Sequence, residues 1–324
     1  MNRFIRGIHA ILFTILIIGC NQSRHVGTES KSIVLGYSQL GDESTWRTQN
    51  SRSIMEAAKR SGIKIMFDDA MQKTENQIKA IRSFIAYKVD VIAFSPLVET
   101  GWDTVLEEAK TAGIPVIIVD RMINTADDSL YTCSIGSNFD VEGRRAGEFL
   151  IKKFRDTQGP IKIVEIGGTA NSTPAIGRYE GFRSIISSEP KFQVIFSEDG
   201  DFMRSKGKEI MQKIYQLYDP NTIDVLYSHN DDMTFGAIEV MEAYGIRPGK
   251  DIVIISVDAT QRIIDYLKAG KVNCVIECNP NLGPLVMLVA HKIVAGEKVE
   301  KHMYIEEKVF DEYSDFSTIE DRGY

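Results

Sequence analysis

From Ile33 onward, short apolar runs alternate with longer stretches whose apolar residues recur every three or four positions. The runs at 33–38, 63–67, 89–95 and 114–119 read as strands, and the last, free of charge, as one buried on both faces of a parallel sheet. The stretches 46–61, 75–87 and 102–112 read as amphipathic helices, and in the second Ile78, Ile81 and Ile85 share one face. Ser44 or Thr45 is placed to cap the first helix, and Gly113 to end the third. A strand at 130–135 leads into a second half with the same rhythm. Its helices are expected at 141–154, 175–187, 206–218, 234–244 and 262–269, and its strands at 161–166, 192–197, 223–227, 252–257 and 272–276. A late helix at 282–295 follows. Alternation of this length predicts an α/β protein with doubly wound parallel sheets. Two lobes are expected, since one sheet of more than about ten strands is rare.

Composition changes this picture little. The chain has 324 residues, 43% hydrophobic and 26% charged, which is ordinary for a globular protein and enough for two separate cores. Its net charge of −7 argues against a nucleic-acid partner. The first residues are different. Arg3 and Arg6 precede an apolar run at 10–18 and then Gly19-Cys20, the layout of a secretory signal over residues 1–19. Ile17-Ile18-Gly19-Cys20 resembles a bacterial lipobox, so lipid on Cys20 is expected, with 20–32 as a polar tether. The mature chain then lies in the periplasm or at the cell surface, held to the membrane by that anchor. Of the remaining cysteines, Cys274 and Cys278 would sit ~13 Å apart along a strand, too far for a disulfide. Buried free thiols are expected, with a Cys133 bridge as the lesser alternative. No metal site is expected, because no histidine follows at ligand spacing.

The polar chemistry collects where strands end. The run 114–119 closes on Asp120-Arg121, an acceptor-only group beside a donor-only group. After the first strand comes a polar loop, Gln39 to Arg47, holding Trp46, one of only two tryptophans. Later come Gly167-Gly168 with Arg178 in the next helix, Asp199-Gly200-Asp201-Phe202, His229-Asn230-Asp231-Asp232 and Asp258-Ala259. Open α/β sheets bind ligands outside the carboxyl ends of their strands. A sugar offers flat C–H faces and a belt of hydroxyls. Trp46 and Phe202, one from each half, could wall those faces, while Asp, Asn and Arg side chains satisfy the belt. Singly, Asn230 and Asp258 would be helix caps, and Asp120-Arg121 a surface ion pair. Their joint recurrence at successive strand ends is what points to a ligand.

The order Ser38-Gln39…Glu43-Ser44-Thr45-Trp46-Arg47, Gln72 to Gln77, Val119-Asp120-Arg121, Gly200-Asp201-Phe202, Ser228 to Met233 and Ser256-Val257-Asp258 resembles periplasmic sugar-binding proteins of the ribose and galactose type. Within that family it is most similar to the galactofuranose binders that serve ABC importers. The resemblance implies two α/β lobes joined by three crossings, the type I periplasmic binding protein fold, with a monosaccharide enclosed between them. The first lobe would hold 33–134 and 279–302, the second 135–278 and 303–324. The lobes would open and close about 134–138, 274–279 and 295–302. Position by position, Glu43, Ser44, Thr45, Trp46 and Arg47 would supply one loop, with Trp46 stacking. Asp120 and Arg121 would hold hydroxyls from the same side, and Arg178, Asn230 and Asp258 from the other, with Phe202 as the opposing wall. One departure concerns ribose: its binders carry Gln where Cys278 stands. The resemblance further implies an ABC transporter permease as partner, a monomeric protein and no cofactor. The alternative is a sensor that presents its ligand state to a membrane receptor or histidine kinase.

Other classes fit less well. Gly200 and Gly207-Lys208 are six residues apart, not four, and Glu209 stands where a phosphate loop needs Ser or Thr. Asp120 and Asp258 could be cast as a glycosidase pair. Arg121 would hold the acid ionised, however, and no nucleophile or base motif accompanies them, so no enzyme is expected.

Overall fold

The computed structural model describes residues 32–324; the signal segment, Cys20 and nearly all of the tether lie outside the described residues. The first half runs β1 (Val34–Gln39), α1 (Thr45–Ser61), β2 (Lys64–Asp69), α2 (Thr74–Tyr87), β3 (Val91–Phe94), α3 (Asp103–Thr111), β4 (Val116–Val119) and β5 (Cys133–Gly136). The second runs α4 (Phe139–Lys153), β6 (Ile161–Gly167), α5 (Thr173–Ile186), β7 (Phe192–Asp199), α6 (Arg204–Leu217), β8 (Val225–Ser228), α7 (Asp231–Ala243), β9 (Val253–Asp258), α8 (Gln261–Lys268) and β10 (Cys274–Glu277). After these come α9 (Gly283–Val294), β11 (His302–Tyr304) and β12 (Val309–Asp311).

The strands form two six-stranded sheets, ordered β11-β5-β4-β3-β1-β2 and β12-β10-β9-β8-β6-β7. Every pairing is parallel except that of β12 with β10. Strand periodicity sorts the apolar residues onto two faces of each sheet. In the first, Leu35, Tyr37, Val91, Ala93, Ile117 and Val119 pack with α1 and α9, while Ile92, Phe94, Val116 and Ile118 pack with α2 and α3. In the second, Val164, Ile166, Leu226 and Ile254 face α6, α7 and α8, while Ile163, Val225, Ile255 and Val257 face α4 and α5. Helices on both faces explain why the inner strands β3, β4 and β8 are uncharged runs. Each fully buried Ile, Leu or Val contributes about 1.5–3 kcal/mol. This is the expected pair of doubly wound lobes.

The chain crosses between sheets three times: after β5, between β10 and α9, and between β11 and β12. The first sheet therefore takes β5 through Gly136 and β11 through Tyr304, two residues beyond 134 and 302. The third crossing falls after Tyr304, past the segment 295–302 named above. Two local readings also change. The strand expected at 130–135 is a 3-10 turn, Asp128–Leu130, followed by β5. The edge strands β11 and β12 were not anticipated, because three residues carry no legible period. Among the described residues no helix is long and apolar enough to cross a membrane.

Candidate functional site

The carboxyl ends of the strands meet at a cleft. From the first lobe it is lined by Glu43, Ser44, Trp46, Arg47, Asp120 and Arg121. From the second come Phe139, Pro174, Arg178, Phe202, Asn230 and Asp258, and Cys278 lines it from the second crossing.

Three lining residues leave their strands with a left-handed backbone that disfavours any side chain. Asp120 has φ 66°, Phe202 φ 61° and Asp258 φ 125°. Such conformations cost roughly 1–3 kcal/mol each and gather at functional sites. The surroundings of Asp120 show how one is held. Its N–H donates to the Ile135 carbonyl at 2.7 Å. A Cβ at Gly136 would lie 2.5 Å from the Asp120 carbonyl oxygen, so glycine alone lets the two backbones approach.

The first-lobe side is a buried charge network. Arg47 Nη2 donates to Asp120 Oδ2 at 2.7 Å and Arg47 Nε to Glu43 Oε1 at 3.1 Å. Burial alone would lower the Arg47 pKa, but the Asp120 and Glu43 carboxylates outweigh it and raise it. Arg121 is not the partner of Asp120 that their adjacency suggested. It donates from Nη1 to the Leu97 carbonyl at 3.0 Å and lies 3.6 Å from Glu43. Burial, then the neighbouring Arg47, lower its pKa to about 10, so it stays cationic at neutral pH. Its Nε has no hydrogen-bond partner among the described residues.

On the second-lobe side, Arg178 Nε donates to Glu142 Oε2 at 2.7 Å and Nη1 to the His229 carbonyl at 2.5 Å. Asn230 caps α7, accepting from the Met233 N–H, and donates from Nδ2 to the Phe202 carbonyl at 3.0 Å. The cap and the site residue are thus one group, which fixes the turn carrying Phe202. The Phe202 ring sits against Gly168, where a Cβ would fall 2.0 Å from Cζ. The guanidinium carbons of Arg121 and Arg178 lie 5.4 and 5.8 Å from that ring's centre, one from each lobe. Asp258 departs from the expectation of an ionised pair: burial, then Asp231, push its carboxyl well above the usual range. Its Oδ2 is buried with no partner among the described residues.

Trp46 is buried, and its ring belongs to the second lobe's apolar cluster with Phe139, Phe149 and Ile276. Its Nε1 donates to the Cys278 carbonyl at 2.7 Å. Thr45 is the one expected residue that does not line the cleft. Its N–H donates to Asp232 Oδ2 at 2.7 Å, a bond from the first lobe to the second. The Met122 N–H bonds Thr173 Oγ1 across the same gap at 3.0 Å, so the lobes are closed. Ser44, not Thr45, caps α1, accepting from the Arg47 N–H. Phe139 and Pro174 were missed, because an aromatic and a proline at helix starts carry no polar signal. The free thiols expected at Cys133, Cys274 and Cys278 are present and buried.

Comparison with known proteins agrees with this geometry. A family model described as periplasmic binding protein domain matches residues 35–298. The chain is 41% identical to the galactofuranose-binding protein YtfQ of Escherichia coli over 254 residues, 78% of this chain and 79% of that one. A Mycobacterium smegmatis protein solved in complex with β-D-fucofuranose is 46% identical, with a TM-score of 0.84 over 87% of this chain and 92% of the other. The binding component of the arabinose ABC transporter from Shewanella sp. ANA-3, bound to α- and β-L-arabinofuranose, is 42% identical, with a TM-score of 0.82 over 86% and 92%. With two parallel-sheet lobes closed on a polar cleft and a family match over most of its length, the chain belongs to the periplasmic binding proteins.

Proposed function

We propose that this protein captures a monosaccharide in its five-membered ring form, galactofuranose or a close relative, and delivers it to an ABC transporter permease. The observation that carries this reading is a buried guanidinium N–H without a protein partner on one lobe, Arg121 Nε, and a buried carboxyl oxygen without one on the other, Asp258 Oδ2, among the described residues. Both residues line the same cleft. A hydroxyl both donates and accepts, so a polyol satisfies the two lobes together, and an orphaned buried polar group costs about 1–3 kcal/mol. Trp46 and Phe202 supply the apolar walls of the cleft. The ring form rests on relatives named for galactofuranose, fucofuranose and arabinofuranose. Contacts from both lobes exist only in the closed form, so sugar shifts the protein toward it. Residues 1–19 act as a lipoprotein signal and Cys20 carries the anchor. The lobes swing on the three crossings.

Calorimetry with D-galactose, D-fucose, L-arabinose and D-ribose tests the reading, with carbon NMR of labelled sugar to read the bound ring. At least one of the first three should bind at micromolar level or tighter, as a furanose. No binding of any at millimolar concentration, or a bound pyranose, would overturn it.

A further inference from the structure

One carboxyl touches all three crossings. Glu307 lies in the third, between β11 and β12. Its Oε1 accepts from Ser137 Oγ, in the first crossing, at 2.6 Å, and from the Asn279 N–H, in the second, at 3.0 Å. Arg145 of α4 donates to the Glu307 backbone carbonyl at 3.0 Å. Glu142, also on α4, is fully buried, and its Oε1 has no hydrogen-bond donor among the described residues. Glu142, Glu307 and the Cys278 thiol offer atoms within 4.8 Å of one another. The other oxygen of Glu142 holds Arg178 of the cleft at 2.7 Å.

Two carboxylates this close cannot both stay ionised without a compensating charge. Arg178 already serves Glu142, and Arg145 is spent on a backbone carbonyl. A proton on Glu307 resolves the conflict and gives the orphaned Glu142 oxygen its donor. We propose that Glu307 is a neutral carboxyl that ties the three crossings together in the closed form and passes their arrangement through Glu142 to Arg178. It is a positioning residue, one step removed from the sugar, and the inference rests on the sugar-binding reading above.

The groups facing Glu307 agree on direction. Burial, then Glu142, raise its pKa to about 9 against the bonds from Ser137 and Asn279. Cys278, pushed up by its own burial, adds no opposing cation. Opening turns the crossings against one another and separates these partners, so the carboxyl returns toward its ordinary value of about 4.3. The closed form therefore binds a proton that the open form releases. Between roughly pH 5 and 9, closing on sugar takes up as much as one proton, and affinity falls by at most tenfold per pH unit as pH rises.

Calorimetry of D-galactose binding at pH 7 in two buffers of different ionisation enthalpy counts those protons. The wild type should take up about 0.3–1 proton per sugar. Glu307→Gln should take up close to none and keep its affinity across the range, because an amide can both accept from Ser137 and donate to Glu142. Glu307→Ala should bind more weakly at every pH. A second measurement is the infrared band of a neutral carboxylic acid, recorded with and without D-galactose. In the sugar-bound difference between wild type and Glu307→Gln, which cancels the buried Asp258 carboxyl, it should be present at neutral pH and fade near pH 9. Equal proton counts in the wild type and Glu307→Gln, or no such difference band with sugar bound, would overturn the proposal. So would one tightly bound zinc ion per protein, lost in Cys278→Ser, since a cation would then hold the cluster. Where D-galactose does not bind, the same two readouts are taken with D-fucose or L-arabinose, and failure of all three to bind counts against the sugar reading alone.

Discussion

Replacing Asp120 separates two things the structure asks of one residue. Its carboxylate takes a charge-assisted bond from Arg47 at 2.7 Å, and its backbone sits at φ 66°. Asp120→Asn keeps the shape and the tolerance for left-handed backbone but removes the charge. Hydrogen bonds to charged groups contribute about 1.5–3 kcal/mol, and Arg47 keeps Glu43 and the neutral Gln39. Sugar affinity should therefore fall about 10- to 150-fold, with little change in the urea midpoint. Asp120→Ala should lose as much affinity and, in addition, about 1 kcal/mol of stability relative to Asn, because alanine disfavours this backbone. Asp120→Gly should recover the stability and not the affinity. Calorimetry and urea unfolding on the three variants read the two effects separately. Asparagine binding sugar within threefold of wild type would show that Asp120 does not hold the ligand or its arginine. Alanine as stable as asparagine would show that the backbone is not strained.

Three further outcomes follow from other contacts. Gly168→Ala places a methyl 2.0 Å from Phe202 Cζ, so the wall must shift; affinity should fall roughly 3- to 10-fold with the fold intact, and unchanged affinity would remove Phe202 as a wall. Burial would raise the Glu165 pKa, but His229, Arg183 and Ser197 outweigh it and hold it low. Its contribution, about 1.5–3 kcal/mol, is thus present above about pH 4.3 and lost as pH falls through the folded value. Glu165→Gln should flatten the acid limb of a stability-versus-pH curve, and an unchanged limb would refute the assignment. Burial pushes Cys133 up to about 11 and Cys274 and Cys278 well above the usual thiol range, so Ellman's reagent should find none of the three until denaturant is added.

What the sequence made legible, and what it hid, follows physical lines. Strands covered on both faces must be apolar, so 114–119 and the Val91–Phe94 centre of 89–95 stand out in the sequence. Polar residues at strand ends stood out for the complementary reason, and ten of the eleven expected site residues line the cleft. The partner assignments were not legible. Asp120 and Arg121 are neighbours in sequence, but a left-handed residue between strand and loop turns them to different partners, Arg47 and Leu97. The short strands β11 and β12 owe their existence to edges offered by β5 and β10, distant in sequence. The role of Glu307 was hidden too, because it depends on three crossings meeting at one point.

The placement of Trp46 has a thermodynamic consequence. An indole rooted in one lobe and seated among the apolar side chains of the other must be wetted whenever the lobes part. Capture of a polar solute is then accompanied by drying of an oily contact between the lobes themselves. The heat capacity of binding should be negative and larger than the sugar's own surface accounts for, so the enthalpy grows more favourable on warming.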